Sequence, residues 1–102
     1  LTRSLKVAKM AENANIPCTP HAANLSLVTV CTMHFLKAIP NAGKYLEFSI
    51  EGTDYYPWQQ KLFLDNPFSV KEGNVTITDM PGWGVIINPE WLESSEYAIS
   101  VI

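Results

Sequence analysis

The chain has 102 residues, of which 47% are hydrophobic and only 17% are charged, and its net charge is −3. This balance excludes an intrinsically disordered chain, which is rich in charge and poor in apolar residues, and the absence of a basic run disfavours a nucleic-acid-binding surface. No apolar run approaches the roughly 20 residues of a membrane-spanning helix, so the composition predicts one small globular domain or a piece of a larger one.

The beginning of the chain combines a helical pattern with an extended one. Apolar residues recur at helical spacing over residues 2–15, and Asn15 suits a left-handed helix end before Ile16-Pro17. Residues 16–20 predict a short buried strand, which cannot be central throughout because proline donates no ladder hydrogen bond. This predicted strand ends at His21.

Residues 22–50 repeat this order. The stretch 25–38 is almost uniformly apolar or small, which predicts a buried helix that Pro40 and Gly43 bring to an end. Residues 44–50 alternate partly and are rich in Tyr, Leu and Phe, which predicts a strand. The order helix, strand, helix, strand is typical of a parallel α/β sheet or barrel.

The second half of the chain differs from the first in charge and in pattern. Residues 1–50 carry five basic and two acidic side chains, whereas residues 51–102 carry two basic and eight acidic ones. The predicted elements here are a tight turn over 71–74, a strand over 75–78, a turn over 80–84, a helix that begins at Asn88-Pro89, and a last strand over 97–102. Such isolated pieces provide no core of their own, so we expect this half to pack on another part of the protein.

The cysteines indicate where the protein is located, and the first residue indicates whether the chain is part of a longer protein. Cys18 and Cys31 lie in apolar surroundings without metal-ligand spacing, which predicts two buried thiols in a reducing compartment and hence a cytoplasmic location. The chain begins with Leu1 rather than methionine, so we expect it to be part of a longer protein.

Two side chains at predicted strand ends are the candidates for chemistry. His21 and Glu47 close successive parallel strands, and active sites of parallel α/β proteins form at the carboxyl ends of strands. An imidazole can act as a base near neutral pH, and a carboxyl group kept protonated can donate a hydrogen bond to a developing oxyanion. The pair therefore suits proton abstraction next to a carboxylate, whereas each residue taken singly is more typical of a structural histidine and a solvated acid.

His34 and the aromatic residues near position 56 are weaker candidates for a functional site. His34 lies inside the apolar helix, where a packing or surface role is expected, and the aromatic cluster Tyr55, Tyr56 and Trp58 suits a domain contact better than a ligand pocket. The sequence has no phosphate-binding loop, calcium loop, zinc-ligand set or nucleophile elbow.

An ordered series of motifs along the chain resembles a known family. The motifs are Leu1-Thr2-Arg3-Ser4-Leu5-Lys6-Val7-Ala8, Ala11-Glu12, Ile16-Pro17, Pro20-His21, Ile39-Pro40-Asn41, Leu46-Glu47, Gly73-Asn74-Val75 and Pro81-Gly82-Trp83-Gly84-Val85. Together they resemble the C-terminal part of the mandelate racemase/muconate lactonizing enzyme family of the enolase superfamily, in its mandelate racemase subgroup. The departure is Trp83, where a smaller apolar residue is usual, and we interpret it as a packing change.

The resemblance implies an α/β fold. Residues 1–50 would form the last helix–strand units of a modified TIM-like (β/α) barrel. Residues 51–102 would return to pack on an α+β capping domain that this chain lacks. The family commonly assembles into homo-oligomers, and the remaining partners would be the rest of the barrel and the capping domain.

The resemblance also implies an activity: Mg²⁺-assisted removal of the proton α to the carboxylate of a hydroxy acid or sugar acid. His21 matches the base, Glu47 matches the acid that hydrogen-bonds the substrate carboxylate, and Asn24 is a further candidate for substrate contact. The metal ligands, and an aspartate that orients the histidine, would lie upstream of this chain. We therefore expect the chain alone to be inactive, and in its parent we favour sugar-acid dehydration over racemisation or epimerisation.

An alternative from another class remains open. The chain would then be a stand-alone, non-catalytic binding or interaction module derived from a barrel end, and it would bind through Tyr55, Tyr56 and Trp58. A module of this kind should melt cooperatively by itself.

Overall fold

The computed structural model describes residues 1–22, 24–51 and 55–101, without the side chain of Trp58. Within these ranges the elements are helix α1 (Thr2–Asn13), helix α2 (Leu27–Ala38), a 3-10 helix (Pro57–Lys61), strand β1 (Val70–Lys71), strand β2 (Asn74–Val75) and helix α3 (Pro89–Glu93). None of the helices in this part of the chain is long and apolar enough to cross a membrane.

Helix α1 ends as the sequence predicts, although two residues earlier. It stops at Asn13, and Asn15 follows with a φ of 55°, which is the left-handed conformation that asparagine tolerates well. The Ile16 N–H donates to the carbonyl oxygen of Ala11 at 2.8 Å, so one of the free carbonyls at the helix end is satisfied. Ala8 is the buried residue of this helix.

Helix α2 begins where a serine caps it. The Ser26 side chain accepts the Val28 N–H at 3.2 Å, so the helix starts at Leu27, two residues later than its apolar pattern suggests. The helix ends at Ala38, as predicted, directly before Ile39 and Pro40.

The strands predicted over 16–20 and 44–50 are not formed. Residues 16–20 instead contribute one end of an isolated parallel bridge, from Cys18 to Ala42, and Ala42 lies two residues before the second predicted strand. In this bridge the Cys18 N–H donates to the Asn41 carbonyl at 2.7 Å and the Gly43 N–H donates to the Cys18 carbonyl at 2.8 Å. A longer ladder needs successive N–H donors, and Pro17 supplies none. Among the described residues, the predicted parallel pairing of the first half is therefore present at this bridge alone.

The second half contains a small hairpin and a capped helix. Strands β1 and β2 pair antiparallel, with Val70 opposite Val75. Glu72 and Gly73 have φ values of 51° and 74° in the predicted turn, as a two-residue primed hairpin turn requires. Asn88 accepts the Glu90 N–H at 3.1 Å and caps α3, whose first residue is a proline, so this predicted start is confirmed.

The two strands predicted for this half, over 75–78 and 97–102, are wrong in extent or absent in the described residues, which end at 101. The one over 75–78 is reduced to β2, whose last residue is Val75, and residues 97–101 form no strand. Elsewhere in the described part of this half, an isolated antiparallel bridge joins Phe63 to Ile87.

Two buried clusters hold the described residues together. Ala8 of α1 packs with Phe35 and Ile39. Val30 and Met33 of α2 pack with Phe68 of the second half. The partly buried hydrophobic residues around this second cluster are Leu25, Leu46, Phe48, Phe63, Val75, Ile77 and Val85. Phe68 of the second half is therefore buried in a cluster that α2 provides. The packing of residues 51–102 on a capping domain stays a prediction.

Candidate functional site

His21 and Glu47, which the sequence places at successive strand ends, are in direct contact. His21 Nδ1 lies 2.6 Å from Glu47 Oε2. The same oxygen accepts the backbone N–H of Ala22 at 2.8 Å. The bridge between Cys18 and Ala42 holds the two segments side by side a few residues earlier, which brings the two side chains within reach of each other.

The contact is open to water on the His21 side and partly shielded on the Glu47 side. The side chains of His21 and Glu47 are 79% and 44% exposed, whereas Ala22, whose N–H reaches the carboxylate, is only 1% exposed. Among the contacts of the described residues, none involves His21 Nε2 or Glu47 Oε1. One nitrogen and one oxygen of the pair are therefore available to a ligand. Sequence reasoning did not find the Ala22 N–H, because a backbone donor leaves no signature in side-chain identities.

A groove of about 370 Å³ lies beside His21, between α1 and α2. Its lining residues are Leu1, Ser4, Pro20, His21, Leu27, Val28, Cys31, Thr32 and Phe35. Such a volume is within the range of small-molecule sites, which are mostly apolar with few polar groups. A second cavity of about 450 Å³ lies near Glu51, Tyr56 and Asp65, and neither His21 nor Glu47 lines it.

Asn24 is held at the start of α2. Its side-chain oxygen accepts the Ser26 hydroxyl, and its backbone oxygen accepts the Thr29 hydroxyl and the Ser26 N–H. These contacts fix Asn24 against the first turn of α2. The expected contact of Asn24 with substrate stays a prediction.

His34 has the packing role that the sequence predicts. Its Nε2 donates to the backbone oxygen of Trp83 at 2.9 Å, because a carbonyl oxygen can only accept. The His34 and Trp83 rings meet edge to face at 5.4 Å. The unusual tryptophan is thus explained by a contact on α2, in agreement with a packing change.

A second contact near this turn was not anticipated from the sequence. Lys37 of α2 donates to the carboxylate of Asp79, and this hydrogen bond lowers the pKa of Asp79 from its ordinary value. Together with the His34 contact, it fastens the turn over 80–84 to α2. The two partners are 42 residues apart, so no local pattern connects them.

Only part of the aromatic cluster can be located. The rings of Tyr55 and Tyr56 meet edge to face at 4.6 Å, and the side chain of Trp58 lies outside the described residues. The cluster's proposed role in domain contact therefore stays a prediction.

The sulfur atoms and acidic groups form no metal site in the described part of the chain. Cys18 and Cys31 are free and half-buried. Within residues 1–22, 24–51 and 55–101, no three His, Cys, Asp or Glu side chains are grouped as metal ligands would be. The described residues thus do not fit a Mg²⁺ site, and the ligands that the resemblance places upstream stay a prediction.

Comparison with known proteins gives two findings. The model of the family described as enolase C-terminal domain-like matches residues 1–91. The crystal structure of a "putative racemase" from Roseobacter denitrificans is 60% identical in sequence and superimposes with a TM-score of 0.92. That match covers all of this chain and 28% of the Roseobacter chain, so this chain spans little more than a quarter of that protein's length.

Proposed function

Because the chain belongs to the enolase C-terminal domain-like family, we propose that it is the C-terminal part of a longer enzyme, called here the parent, which removes the proton α to a carboxylate. The observation that carries the proposal is the contact of His21 Nδ1 with Glu47 Oε2 at the ends of two adjacent segments. A base beside a carboxyl group is what this reaction requires on one face of its substrate. The metal that assists the family's reaction would be held by residues outside this chain.

In the proposed reaction His21 accepts the α-proton of the substrate on Nε2, because Nδ1 is already engaged by Glu47. The electrons of the C–H bond move into the carboxylate and form an enediolate. Glu47, protonated on Oε1, donates a hydrogen bond to a substrate carboxylate oxygen, which stabilises the growing negative charge.

The substrate class that we propose is a hydroxy acid or sugar acid. Dehydration and racemisation share the first step and differ in the next. In dehydration His21 returns its proton to the departing β-hydroxyl group, which leaves as water. In racemisation or epimerisation the α-carbon takes a proton on its opposite face from an acid that would lie outside this chain, and His21 keeps the proton it removed. The name of the Roseobacter relative supports racemisation, whereas our preference for dehydration rests on the resemblance alone.

The test is α-proton exchange in the parent. A panel of hydroxy acids and sugar acids is incubated with Mg²⁺ in deuterated water, and loss of the α-proton signal is followed by NMR. Wild-type parent should exchange at least one acid, and His21→Asn should slow that exchange by roughly 10²- to 10⁴-fold, the usual contribution of a general base. His34→Asn is the matched control and should retain exchange, because His34 packs on Trp83.

Two results would contradict the proposal: exchange at the wild-type rate in His21→Asn, or no exchange of any acid by the wild-type parent. Where exchange occurs, the products separate the two outcomes. A 2-keto-3-deoxy acid indicates dehydration, and an epimer of the starting acid indicates racemisation or epimerisation.

A further inference from the structure

We propose that Phe68, in the second half of the chain, is a positioning residue for Glu47. Its ring packs against Phe48, the residue that follows Glu47, and thereby sets the position of the Glu47 carboxyl group. The proposal rests on the proposed function, in which that carboxyl group donates a hydrogen bond to the substrate. It gives the second half of the chain a part in the reaction that the sequence did not indicate.

The residues on either side of Glu47 are both held by one buried cluster. Leu46 and Phe48 pack against the cluster that α2 forms with Phe68. The Glu47 carboxylate, between them, accepts the N–H of Ala22 in the other segment. Side chains of successive residues in extended backbone point to opposite faces. Leu46 and Phe48 therefore anchor the backbone from the face opposite to the carboxyl group.

Phe68 is the better-held partner of the Phe48 contact. Phe68 is only 8% exposed, and its backbone N–H donates to Asn66 Oδ1 at 3.0 Å. The Phe48 ring meets the Phe68 ring edge to face at 6.5 Å, and the Phe63 ring meets it at 5.8 Å. Phe48 itself is half-buried. The position of Phe48 is therefore set by Phe68 more than the reverse.

This packing lies within the chain, on the side of the segment that faces α2. The longer Roseobacter protein has the same backbone arrangement over this length. The segments that carry Phe48 and Phe68 are thus placed alike when the remainder of a longer chain is present. Which group orients His21 makes no difference to this contact.

Loss of the Phe68 ring should reach Glu47 because protein interiors are close-packed. Neighbouring side chains fill a new gap only in part, and Phe48 would move towards it together with its backbone. The planar peptide that joins Phe48 to Glu47 passes this movement on. A misplacement of about 1 Å at a reacting site can reduce the rate about 10²-fold, so even a partial shift should lower kcat.

The test uses the parent with a substitution on each side of the contact. Phe68→Leu and Phe48→Leu each remove one ring and retain an apolar side chain, so a folding failure of one leaves the other informative. Each should lower kcat for α-proton exchange by roughly 10- to 100-fold. KM should stay within about threefold of the wild type, because the interaction that is weakened acts in the transition state.

Phe63→Leu is the matched control. It removes the other edge-to-face contact of Phe68, but the backbone of Phe63 is bridged to Ile87 and is not joined to Glu47. Its kcat should therefore stay at the wild-type value.

A double-mutant cycle and a spectroscopic signal separate positioning from a general loss of stability. If Phe68 acts through Phe48, the double variant should have the kcat of Phe48→Leu alone, whereas independent effects would multiply. The surroundings of Glu47 are read without substrate from the ¹³C signal of its carboxyl carbon, identified by its absence in Glu47→Gln. This signal should move in Phe68→Leu and Phe48→Leu and stay in place in Phe63→Leu.

Four results would overturn the proposal: a wild-type kcat in Phe68→Leu, an unmoved Glu47 signal in that variant, effects that multiply in the double variant, or an equal fall of kcat in Phe63→Leu. An absence of exchange in the wild-type parent refutes the proposed function instead. The Glu47 signal then decides by itself whether Phe68 positions that side chain.

Discussion

Gly43 is the residue that lets the two site-bearing segments lie side by side, so Gly43→Ala should loosen them. A methyl group at this position would overlap the Thr19 hydroxyl outright and lie 3.0 Å from Thr19 Cβ and 3.4 Å from the Cys18 carbonyl oxygen. The Gly43 N–H donates to that carbonyl at 2.8 Å, so the crowding falls on a hydrogen bond that joins the segments.

The size of the effect follows from these distances. Thr19 is exposed, so its hydroxyl can rotate away, but its Cβ cannot, and a 3.0 Å separation requires the backbones to move apart by a few tenths of an ångström. Overpacking of this kind costs about 1–3 kcal/mol. We therefore expect the amides of Cys18 and of position 43 to exchange with solvent roughly 5- to 150-fold faster than in the wild type.

Hydrogen exchange in the parent, read by mass spectrometry or NMR, measures this opening. The control is a double-mutant cycle with Thr19→Gly, which removes the Cβ that the methyl group meets as well as the hydroxyl. The cost of Gly43→Ala should be about 1 kcal/mol smaller in the Thr19→Gly background. An equal cost in the two backgrounds, or no faster exchange in Gly43→Ala, would refute the argument that Thr19 is what the methyl group meets.

Two further outcomes are expected. Ser26→Ala removes the cap of α2 and should cost about 1 kcal/mol of helix stability, which is measured as faster hydrogen exchange of the Val28 amide. Ser26→Thr retains an acceptor, so its Val28 amide should exchange at the wild-type rate. Equal rates in all three proteins would contradict the capping role. Because Lys37 lowers the pKa of Asp79, this contact stabilises the fold above the ordinary pKa of 3.8 and is lost as the pH falls through the lowered value. Asp79→Asn should therefore melt below the wild type at neutral pH and together with it in strong acid; a difference that persists in acid would count against this titration.

Local signals were the predictable part of the fold. The predicted helix start at Asn88-Pro89 and the predicted tight turn over 71–74 are both present. They were predictable because capping and turn geometry depend on a few adjacent residues. Helix α1 ends two residues before its predicted end. Helix α2 starts two residues after its predicted start, because Ser26 caps it.

The strands were not predictable in the same way. A strand exists only where a neighbour pairs with it, and the pattern of residues 44–50 carries no information about that neighbour. Contacts between distant residues were equally hidden: His34 reaches Trp83 across 49 positions. The proximity of His21 and Glu47 was predictable because it followed from topology, since two adjacent parallel segments end on the same side.

Phe68 of the second half is buried against Val30 and Met33 of α2. Because of this contact, we expect the sequences of the two halves to evolve together. A smaller side chain at position 68 would leave a void against α2, and a larger one at position 33 would fill it. Among relatives of this chain, these positions should therefore change volume in a compensating manner, and a gene fusion that exchanged only residues 51–102 would have to bring a matching α2 with it.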